Sequence, residues 1–162
     1  MQPRRICYTV GTIRGEKGLR IIAGEAKGRP LAAPKGMDTR PTLDRVRESL
    51  FSILMGRLEG ASVLDLFAGS GALGLEAISR GAARAVFVDQ ARAAQQAVAK
   101  NLAALGFSGR GMLLRCDYRA ALSRLSKEGA RFDLVFLDPP YRMADAKGML
   151  ETLRASGVLA ED

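Results

Sequence analysis

The chain has 162 residues, of which 48% are hydrophobic, a size that allows one domain with a buried core but not two. It has no histidine, and its two cysteines, Cys7 and Cys116, match no metal-ligand spacing, so we expect neither a disulfide nor a metal site. No apolar run approaches the roughly twenty residues of a membrane helix, and the N-terminus lacks the apolar core of a signal peptide, so we expect a cytoplasmic protein.

The net charge of +8 is unevenly placed along the chain. Residues 1–60 contain 12 Lys and Arg against 6 Asp and Glu, whereas residues 61–162 contain 13 against 11. A basic segment attached to a nearly balanced domain is typical of proteins that bind polyanions, because each neutralised phosphate releases counterions. The alternative is that the charge serves only solubility.

Three segments can be distinguished along the chain. Residues 1–18 show no helical or strand period, so we predict a mobile tail. Residues 19–60 form a basic extension: we predict two short strands joined by a turn and ended by Pro34 and Gly36, and then, after Pro41, an amphipathic helix of about four turns. Residues 61–162 form the third segment.

Residues 61–162 alternate short apolar runs with helical patterns, which indicates a parallel sheet with crossover helices. The predicted fold class is therefore α/β, a Rossmann-like sheet preceded by a β-hairpin and a helix. The predicted strands are 63–67, 85–88, 112–115 and 132–137, and the predicted helices are 72–80, 91–105, 118–127 and 144–155.

A glycine-rich loop follows the first predicted strand. Residues 69–74 read GSGALG, which matches the G-x-G-x-x-G spacing between a strand and a helix. Glycines there allow a tight turn and the close approach of a ligand. Asp89, which follows the second strand, is placed to accept hydrogen bonds from ribose hydroxyls, an arrangement that suits NAD and S-adenosylmethionine alike.

Two further acids are candidates at the same site. Asp65 lies in an otherwise apolar strand, where a carboxylate is costly unless paired; it either anchors the backbone amides of the loop or meets the charged methionyl part of the cofactor. Asp117 either contacts an adenine amino group or caps the following helix. The predicted cofactor-binding residues are Asp65, Phe67, Ala68, Gly69, Ser70, Gly71, Asp89 and Asp117.

The fourth predicted strand ends in Asp138-Pro139-Pro140-Tyr141. Two prolines there fix a rigid, extended turn with unpaired carbonyls. Asp138 and the Pro139 carbonyl can accept the hydrogens of an amino group conjugated to a base ring, and in-line positioning can lower a methyl-transfer barrier by about 7–11 kcal/mol. Tyr141 would stack on the base, which must be flipped or unpaired to reach the pocket. We predict that these four residues are catalytic.

Together, VLDLFAGSGALGLEA, FVD and LDPPY resemble the amino-methylating class of S-adenosylmethionine-dependent enzymes. The stretch LRIIAGEAKGRPLAAPKGMDTRPTLDRVRESLFSIL is similar to the opening of the bacterial RsmD family, which methylates the N2 amino group of a guanine in small-subunit ribosomal RNA. The resemblance covers roughly residues 19–159. It implies S-adenosylmethionine as cofactor, ribosomal RNA as partner, no metal, and RNA contacts by Arg20, Lys27, Arg29 and Arg40. Thr42, in the same RPT segment, we assign to a helix cap.

The sequence departs from the family pattern at both ends. The tail before Leu19 is outside the pattern, and members of the family continue beyond GVLAED through a fifth strand and an antiparallel pair. We therefore expect the sheet to lack its C-terminal strands and the fourth strand to be an exposed edge, which predicts self-association.

Several alternatives remain at this point. A DNA amino-methyltransferase would share the DPPY turn but not the RPTLDRVRES segment. A NAD-dependent dehydrogenase would explain the glycine loop and Asp89 but would leave DPPY without a role. A non-catalytic RNA-binding remnant would follow if the missing strands are needed for activity.

Overall fold

The structure, a computed structural model, describes residues 5–8, 18–35, 44–140 and 145–161. It alternates strands and helices as the apolar pattern predicts. In chain order the elements are β1 (Arg5–Tyr8), α1 (Asp44–Ile53), β2 (Ser62–Asp65), α2 (Ala72–Ser79), β3 (Arg84–Val88), α3 (Arg92–Leu105), β4 (Gly111–Leu114), α4 (Tyr118–Lys127), β5 (Leu134–Leu137) and α5 (Ala146–Ser156).

The strands form one sheet in the order β1-β5-β2-β3-β4, and every neighbouring pair is parallel. Alternate side chains of the strands point to opposite faces of the sheet, and each face carries its own hydrophobic cluster. One cluster joins β2 and β3 to α1, α2 and α3, while the other joins the opposite side chains of the sheet to α4 and α5. The predicted α/β class, a Rossmann-like methyltransferase sheet, is confirmed.

The predicted strands of residues 61–162 are close to the observed ones because β2, β3 and β5 are apolar and buried over most of their length. β5 is buried at all four positions, and the bounds of α4 match the prediction. Gly106 and Gly157 end α3 and α5 in the left-handed conformation, with φ of 71° at both residues, as is common for a helix C-terminus.

Two predictions are wrong at residues 5–8: that this part of the chain is a mobile tail, and that the far edge of β5 is exposed. Residues 5–8 belong to the segment that we expected to be a mobile tail, but their backbone forms β1, which pairs with β5 from Arg5 opposite Leu134 to Tyr8 opposite Leu137. The far edge of β5 is therefore covered within the chain. The exposed edge on which the prediction of self-association rested is not present along those four residues. The rest of the predicted tail, residues 1–4 and 9–17, lies outside the described residues.

The predicted hairpin is also less regular than expected. Only one antiparallel bridge, between Arg20 and Pro30, is present where we predicted two strands. Backbone hydrogen bonds from Ile21 to the carbonyl of Arg29 (2.9 Å) and from Leu31 to that of Leu19 (2.8 Å) still close the unit. We call residues 19–31 the hairpin. The predicted four-turn helix is α1, which ends earlier, at Ile53; Thr42, its predicted cap, lies outside the described residues.

Candidate functional site

Three carboxylates lie at the carboxyl ends of three adjacent strands. Asp65 ends β2, Asp89 follows β3, and Asp138 follows β5. In the register of the sheet Asp65 stands opposite Phe87 and Phe136, so the other two acids each come two residues after its partners. Ligands of open α/β sheets bind at this edge. Because three carboxylates meet there, this edge is suited to a ligand that carries positive charge or donates hydrogen bonds, although the chain as a whole is basic.

Asp65 is almost fully buried, with 1% of its surface exposed. One carboxylate oxygen, Oδ2, accepts a hydrogen bond from the backbone N–H of Gly74 at 3.2 Å, and the other, Oδ1, is buried with no hydrogen-bond partner among the described residues. Burial raises the pKa of Asp65 to about 7; the Gly74 amide opposes this shift, and the negative charges of Asp138 and Asp89 add to it. The carboxyl is thus poised between its two charge states at neutral pH. Of its two predicted roles, the structure shows the anchoring of a backbone amide.

The glycine loop connects β2 to α2 through two residues in the left-handed region. Gly69 has φ of 56° and Gly71 has φ of 83°, conformations that a side chain disfavours. Gly74, inside α2, has a packing role instead: a Cβ there would lie 2.4 Å from Cε1 of Phe87 on β3. This close approach brings the start of the helix against the sheet. The spacing of the motif therefore reflects two turn positions and one helix–strand contact.

Asp89 holds the same loop from the side of β3. Its Oδ2 accepts from the N–H of Gly69 at 3.0 Å, and its Oδ1 accepts from that of Ala91 at 2.8 Å. The side chain is half-buried, so it remains accessible to a ligand. The Gln95 side-chain amide donates to the Asp89 carbonyl at 2.9 Å, which fixes the backbone at this residue. Asp89 is thus placed where hydroxyl groups of a ligand could reach it.

The remaining predicted cofactor residues surround this edge in different ways. Ala68 is buried and donates its N–H to the Val88 carbonyl at 3.0 Å. Phe67 is half-buried and its ring lies 5.4 Å from that of Tyr118, centroid to centroid. Asp117 is exposed and its carboxylate accepts from the N–H of Ala120 at 2.9 Å. Of the two roles left open for Asp117, the structure shows the helix cap.

The chain leaves β5 through Asp138 and Pro139, both half-buried, and then through the exposed Pro140. Asp138 is close enough to Asp65 for its charge to raise the pKa of the buried carboxyl. The proline pair therefore begins beside the glycine loop, as the sheet topology predicts. Tyr141, the fourth predicted catalytic residue, lies outside the described residues.

The predicted RNA-contacting cations lie on the hairpin. Arg20, Lys27 and Arg29 are exposed. Arg29 also donates from Nη2 to the Ala104 carbonyl near the end of α3, at 2.7 Å. This bond attaches the hairpin to the helices that flank the sheet and holds the guanidinium close to them. The fourth predicted cation, Arg40, lies outside the described residues.

The sequence reasoning missed the buried polar residues that attach the hairpin to the core. Glu76 on α2 is fully buried and accepts hydrogen bonds from the N–H groups of Ile22 (2.9 Å) and Ala23 (3.0 Å). Its carboxylate is also bonded by Nε of Arg80 at 2.8 Å. Ser79, one turn further, donates to the Ala23 carbonyl at 2.7 Å. The one available signal was the presence of two polar residues in an otherwise apolar helix, ALGLEAIS.

Asn101 is a third buried residue of this kind. It lies on α3 with 2% of its surface exposed and bonds both polar backbone groups of Ala32, just beyond the hairpin, as well as the carbonyl of Ser70 in the glycine loop.

No group of three His, Cys, Asp or Glu residues is arranged to hold a metal ion within the described ranges. Nor is any helix there long and apolar enough to cross a membrane.

The sheet order, the glycine loop and the acids at its edge define the class: the fold is that of the S-adenosylmethionine-dependent methyltransferases. Within this class the chain belongs to the RsmD family, since the family model described as Conserved hypothetical protein 95 matches residues 19–162. The predicted family membership is confirmed.

Individual relatives agree with this assignment. The chain is 42% identical over 148 residues to the Ribosomal RNA small subunit methyltransferase D of Escherichia coli (strain K12), a match that covers 91% of the chain and 73% of that protein. It is 42% identical over 144 residues to the protein YlbH of Bacillus subtilis (strain 168), covering 89% and 78% respectively. The solved structure of yhhF from Escherichia coli superposes with a TM-score of 0.77 at 42% identity, covering 89% of the chain and 76% of that structure.

Proposed function

We propose that the chain transfers a methyl group from S-adenosylmethionine to the exocyclic N2 amino group of a guanine in small-subunit ribosomal RNA. The observation that carries the proposal is that Asp138 and Pro139 leave β5 at the same sheet edge at which the glycine loop leaves β2, with Asp138 close enough to act on Asp65. The name of the Escherichia coli relative supports methyl transfer to small-subunit RNA. The choice of guanine N2 rests on the DPPY motif and on the family resemblance.

The residues at the edge fit the cofactor. Asp89 can accept hydrogen bonds from the ribose hydroxyls, and the left-handed Gly69, where a Cβ would meet nothing within 4 Å, leaves the loop open to close approach. The buried carboxylate of Asp65 favours a positive charge nearby, and the methionyl end of S-adenosylmethionine provides one. In the proposed site the cofactor supplies a methyl carbon bound to cationic sulfur.

The protein's part in the reaction is to position the amino group. A guanine amino group is a poor nucleophile because its lone pair is delocalised into the ring. Asp138 and the Pro139 carbonyl accept its two hydrogens, which turns the lone pair toward the methyl carbon. Once the amino nitrogen has taken the methyl group it would carry a surplus proton, and Asp138 would accept this proton and release it to solvent. Positioning of this kind is worth about 7–11 kcal/mol when the reacting atoms are held in line.

The hairpin is proposed to bind the RNA. Its exposed cations Arg20, Lys27 and Arg29 can contact phosphates, which position the RNA without reading its sequence. The bonds from Glu76, Ser79 and Asn101 hold the hairpin and the residue after it against α2 and α3, the helices that flank the glycine loop. RNA bound by the hairpin would therefore have a fixed relation to the site.

The test is transfer of labelled methyl from S-adenosylmethionine to small-subunit particles that lack their native methylations. We expect label in guanine N2 with the wild-type chain and loss of that label with Asp138→Ala. The matched control is Asp133→Ala: it removes the same side chain from the opposite end of β5, where Asp133 bonds the N–H of Ser62 at 2.8 Å. This control should retain transfer. Absence of transfer by a folded wild-type chain, or transfer that survives Asp138→Ala, would refute the proposal.

Cofactor binding separates the proposal from the dehydrogenase alternative. We expect S-adenosylhomocysteine, the product of transfer, to bind in calorimetry, and NAD not to bind. Binding of NAD alone would assign the glycine loop to a different reaction.

A further inference from the structure

The side chain of Asn101 connects two parts of the molecule that are far apart in sequence. Its Oδ1 accepts from the N–H of Ala32 at 2.7 Å, and its Nδ2 donates to the Ala32 carbonyl at 3.0 Å. The same Nδ2 donates to the carbonyl of Ser70 at 2.8 Å. A single amide therefore bonds both polar groups of one residue beside the hairpin and a carbonyl of the glycine loop.

These bonds make Asn101 sensitive to any movement of either partner. Only 2% of its surface is exposed, so water cannot readily replace a bond that is lost. Oδ1 needs a hydrogen-bond donor opposite it, and Nδ2 needs two acceptors. An apolar side chain offers neither kind of group and a carboxylate has no hydrogens to donate, so neither can replace the amide. A displacement of Ala32 that turns the amide would break its bond to Ser70.

The glycine loop is thus held from two sides. Asp89 bonds the N–H of Gly69 from the side of β3, and Asn101 bonds the Ser70 carbonyl from the side of α3. Asp89 belongs to the proposed cofactor site, whereas Asn101 leads to Ala32. Ala32 follows Leu31, whose N–H closes the hairpin on Leu19 at 2.8 Å. These few bonded groups form a direct side-chain path from the hairpin to the glycine loop.

We propose that Asn101 is a positioning residue that couples RNA binding at the hairpin to cofactor binding at the glycine loop. The inference rests on the proposed function. In this arrangement RNA that orders the hairpin and Ala32 also fixes the amide of Asn101 and, through it, the loop that holds the cofactor. By linkage, bound cofactor must tighten RNA binding by the same factor.

The coupling can be measured with S-adenosylhomocysteine as the probe and unmethylated small-subunit particles as the RNA. The affinity for S-adenosylhomocysteine is determined with and without particles for the full chain and two variants. Asn101→Leu removes all three bonds; Asn101→Asp keeps the acceptor for the Ala32 N–H but places a carboxylate oxygen against two carbonyls. Having two variants keeps the test valid if one of them does not fold, as judged by circular dichroism.

Ser79→Ala is the matched control. Ser79 is also a buried side chain that bonds the hairpin, through the Ala23 carbonyl at 2.7 Å and the Ala26 N–H at 3.0 Å, but no bond joins it to the glycine loop. The control therefore loosens the hairpin without touching the proposed connection. A purely structural role of Asn101 would affect both kinds of variant alike.

In the wild-type chain we expect the particles to tighten S-adenosylhomocysteine binding by at least about fivefold, the lower end of typical coupling. In folded Asn101 variants the factor should fall below about twofold, while Ser79→Ala should keep it, on the same scale of coupling. Uncoupled binding of both ligands by the wild-type chain, or full coupling in an Asn101 variant, would overturn the role of Asn101 alone. Failure of the wild-type chain to bind either ligand would overturn the proposed function, and this inference with it.

Amide hydrogen exchange gives a second readout that needs no RNA. On addition of S-adenosylhomocysteine, the hairpin amides of Ile21 and Gly28, which bond the carbonyls of Arg29 and Ile21, should exchange more slowly in the wild-type chain and in Ser79→Ala. In the Asn101 variants this protection should be absent. Protection that persists in a folded Asn101 variant would refute the connection.

Discussion

Replacing Asp65 with Asn tests the electrostatics of the sheet edge, because the variant removes a buried titratable group while keeping an oxygen for the Gly74 N–H. In the folded chain, burial and two neighbouring acids raise the pKa of Asp65 from 3.8 to about 7. In the unfolded chain the carboxyl ionises in its ordinary range. The two states therefore bind different numbers of protons between these two values.

The sign of the effect follows from proton linkage. Above pH 3.8 the unfolded state releases the Asp65 proton first, so the folded state binds more protons and its stability falls as the pH rises. The stability that the folded state gains from holding the Asp65 proton is fully present below pH 3.8 and is lost as the pH rises through about 7. At about 1.4 kcal/mol per pKa unit, the whole shift corresponds to about 4 kcal/mol, an upper value because a buried site relaxes when it is charged.

The assay is urea denaturation of the wild-type chain and Asp65→Asn between pH 4 and 8. We expect the variant to gain stability relative to the wild type as the pH rises, by up to about 4 kcal/mol at pH 8. The comparison uses the difference between the two proteins, because this removes the pH dependence of the groups that do not interact with Asp65. A difference that does not change between pH 4 and 8 would refute the reasoning. S-adenosylhomocysteine, whose ammonium group is positive, should narrow the difference by favouring the ionised carboxylate.

Two further predictions concern the attachment of the hairpin. Glu76→Ala breaks a buried network and should lower the free energy of unfolding by about 3–5 kcal/mol. Its control, Glu128→Ala, loses only an exposed ion pair and should have little effect. Equal urea midpoints for the two variants would contradict this expectation. Gly24→Ala would place a Cβ 1.9 Å from the Ser79 carbonyl oxygen, and Gly28→Ala, with a similar positive φ of 81°, meets nothing within 4 Å. We expect Gly24→Ala to lose about 1–3 kcal/mol more than Gly28→Ala in thermal unfolding, and equal losses would show that the contact is relieved without cost.

The sheet could be predicted from the sequence because its signals are local. Strands β2 to β5 lie in short, mainly apolar runs, the helices between them are amphipathic or apolar, and α3 and α5 end at Gly106 and Gly157. The parallel order then brings the ends of β2, β3 and β5 to one edge, which is why Asp65, Asp89 and Asp138 could be grouped from their places after apolar runs.

The position of β1 could not be predicted in the same way. Its sequence is RICY, in which the apolar run Ile6-Cys7-Tyr8 is only three residues long and continues into no helical or strand period. The strand exists because its backbone pairs with β5, about 129 positions later in the chain, and such pairing leaves no periodic signal in so short a segment. An N-terminal segment without a pattern can therefore cover the edge of a sheet that the pattern of the core leaves open.

The hairpin shows a different limit of sequence reasoning. Its apolar runs suggest a two-stranded ladder, but one bridge forms, and the N–H groups of Ile22 and Ala23 bond the carboxylate of Glu76 instead. A strand pattern records which side chains are buried and does not record which group accepts a backbone hydrogen bond. Glu76 and Asn101 are read most simply as solvent-facing helix residues, because polar side chains are seldom buried without partners. Their partners lie 54 and 69 positions away. A single sequence therefore does not reveal the contacts that join the proposed RNA-binding hairpin to α2 and α3. Variants of Glu76 and Asn101 will show how far the attachment of the hairpin serves catalysis as well as stability.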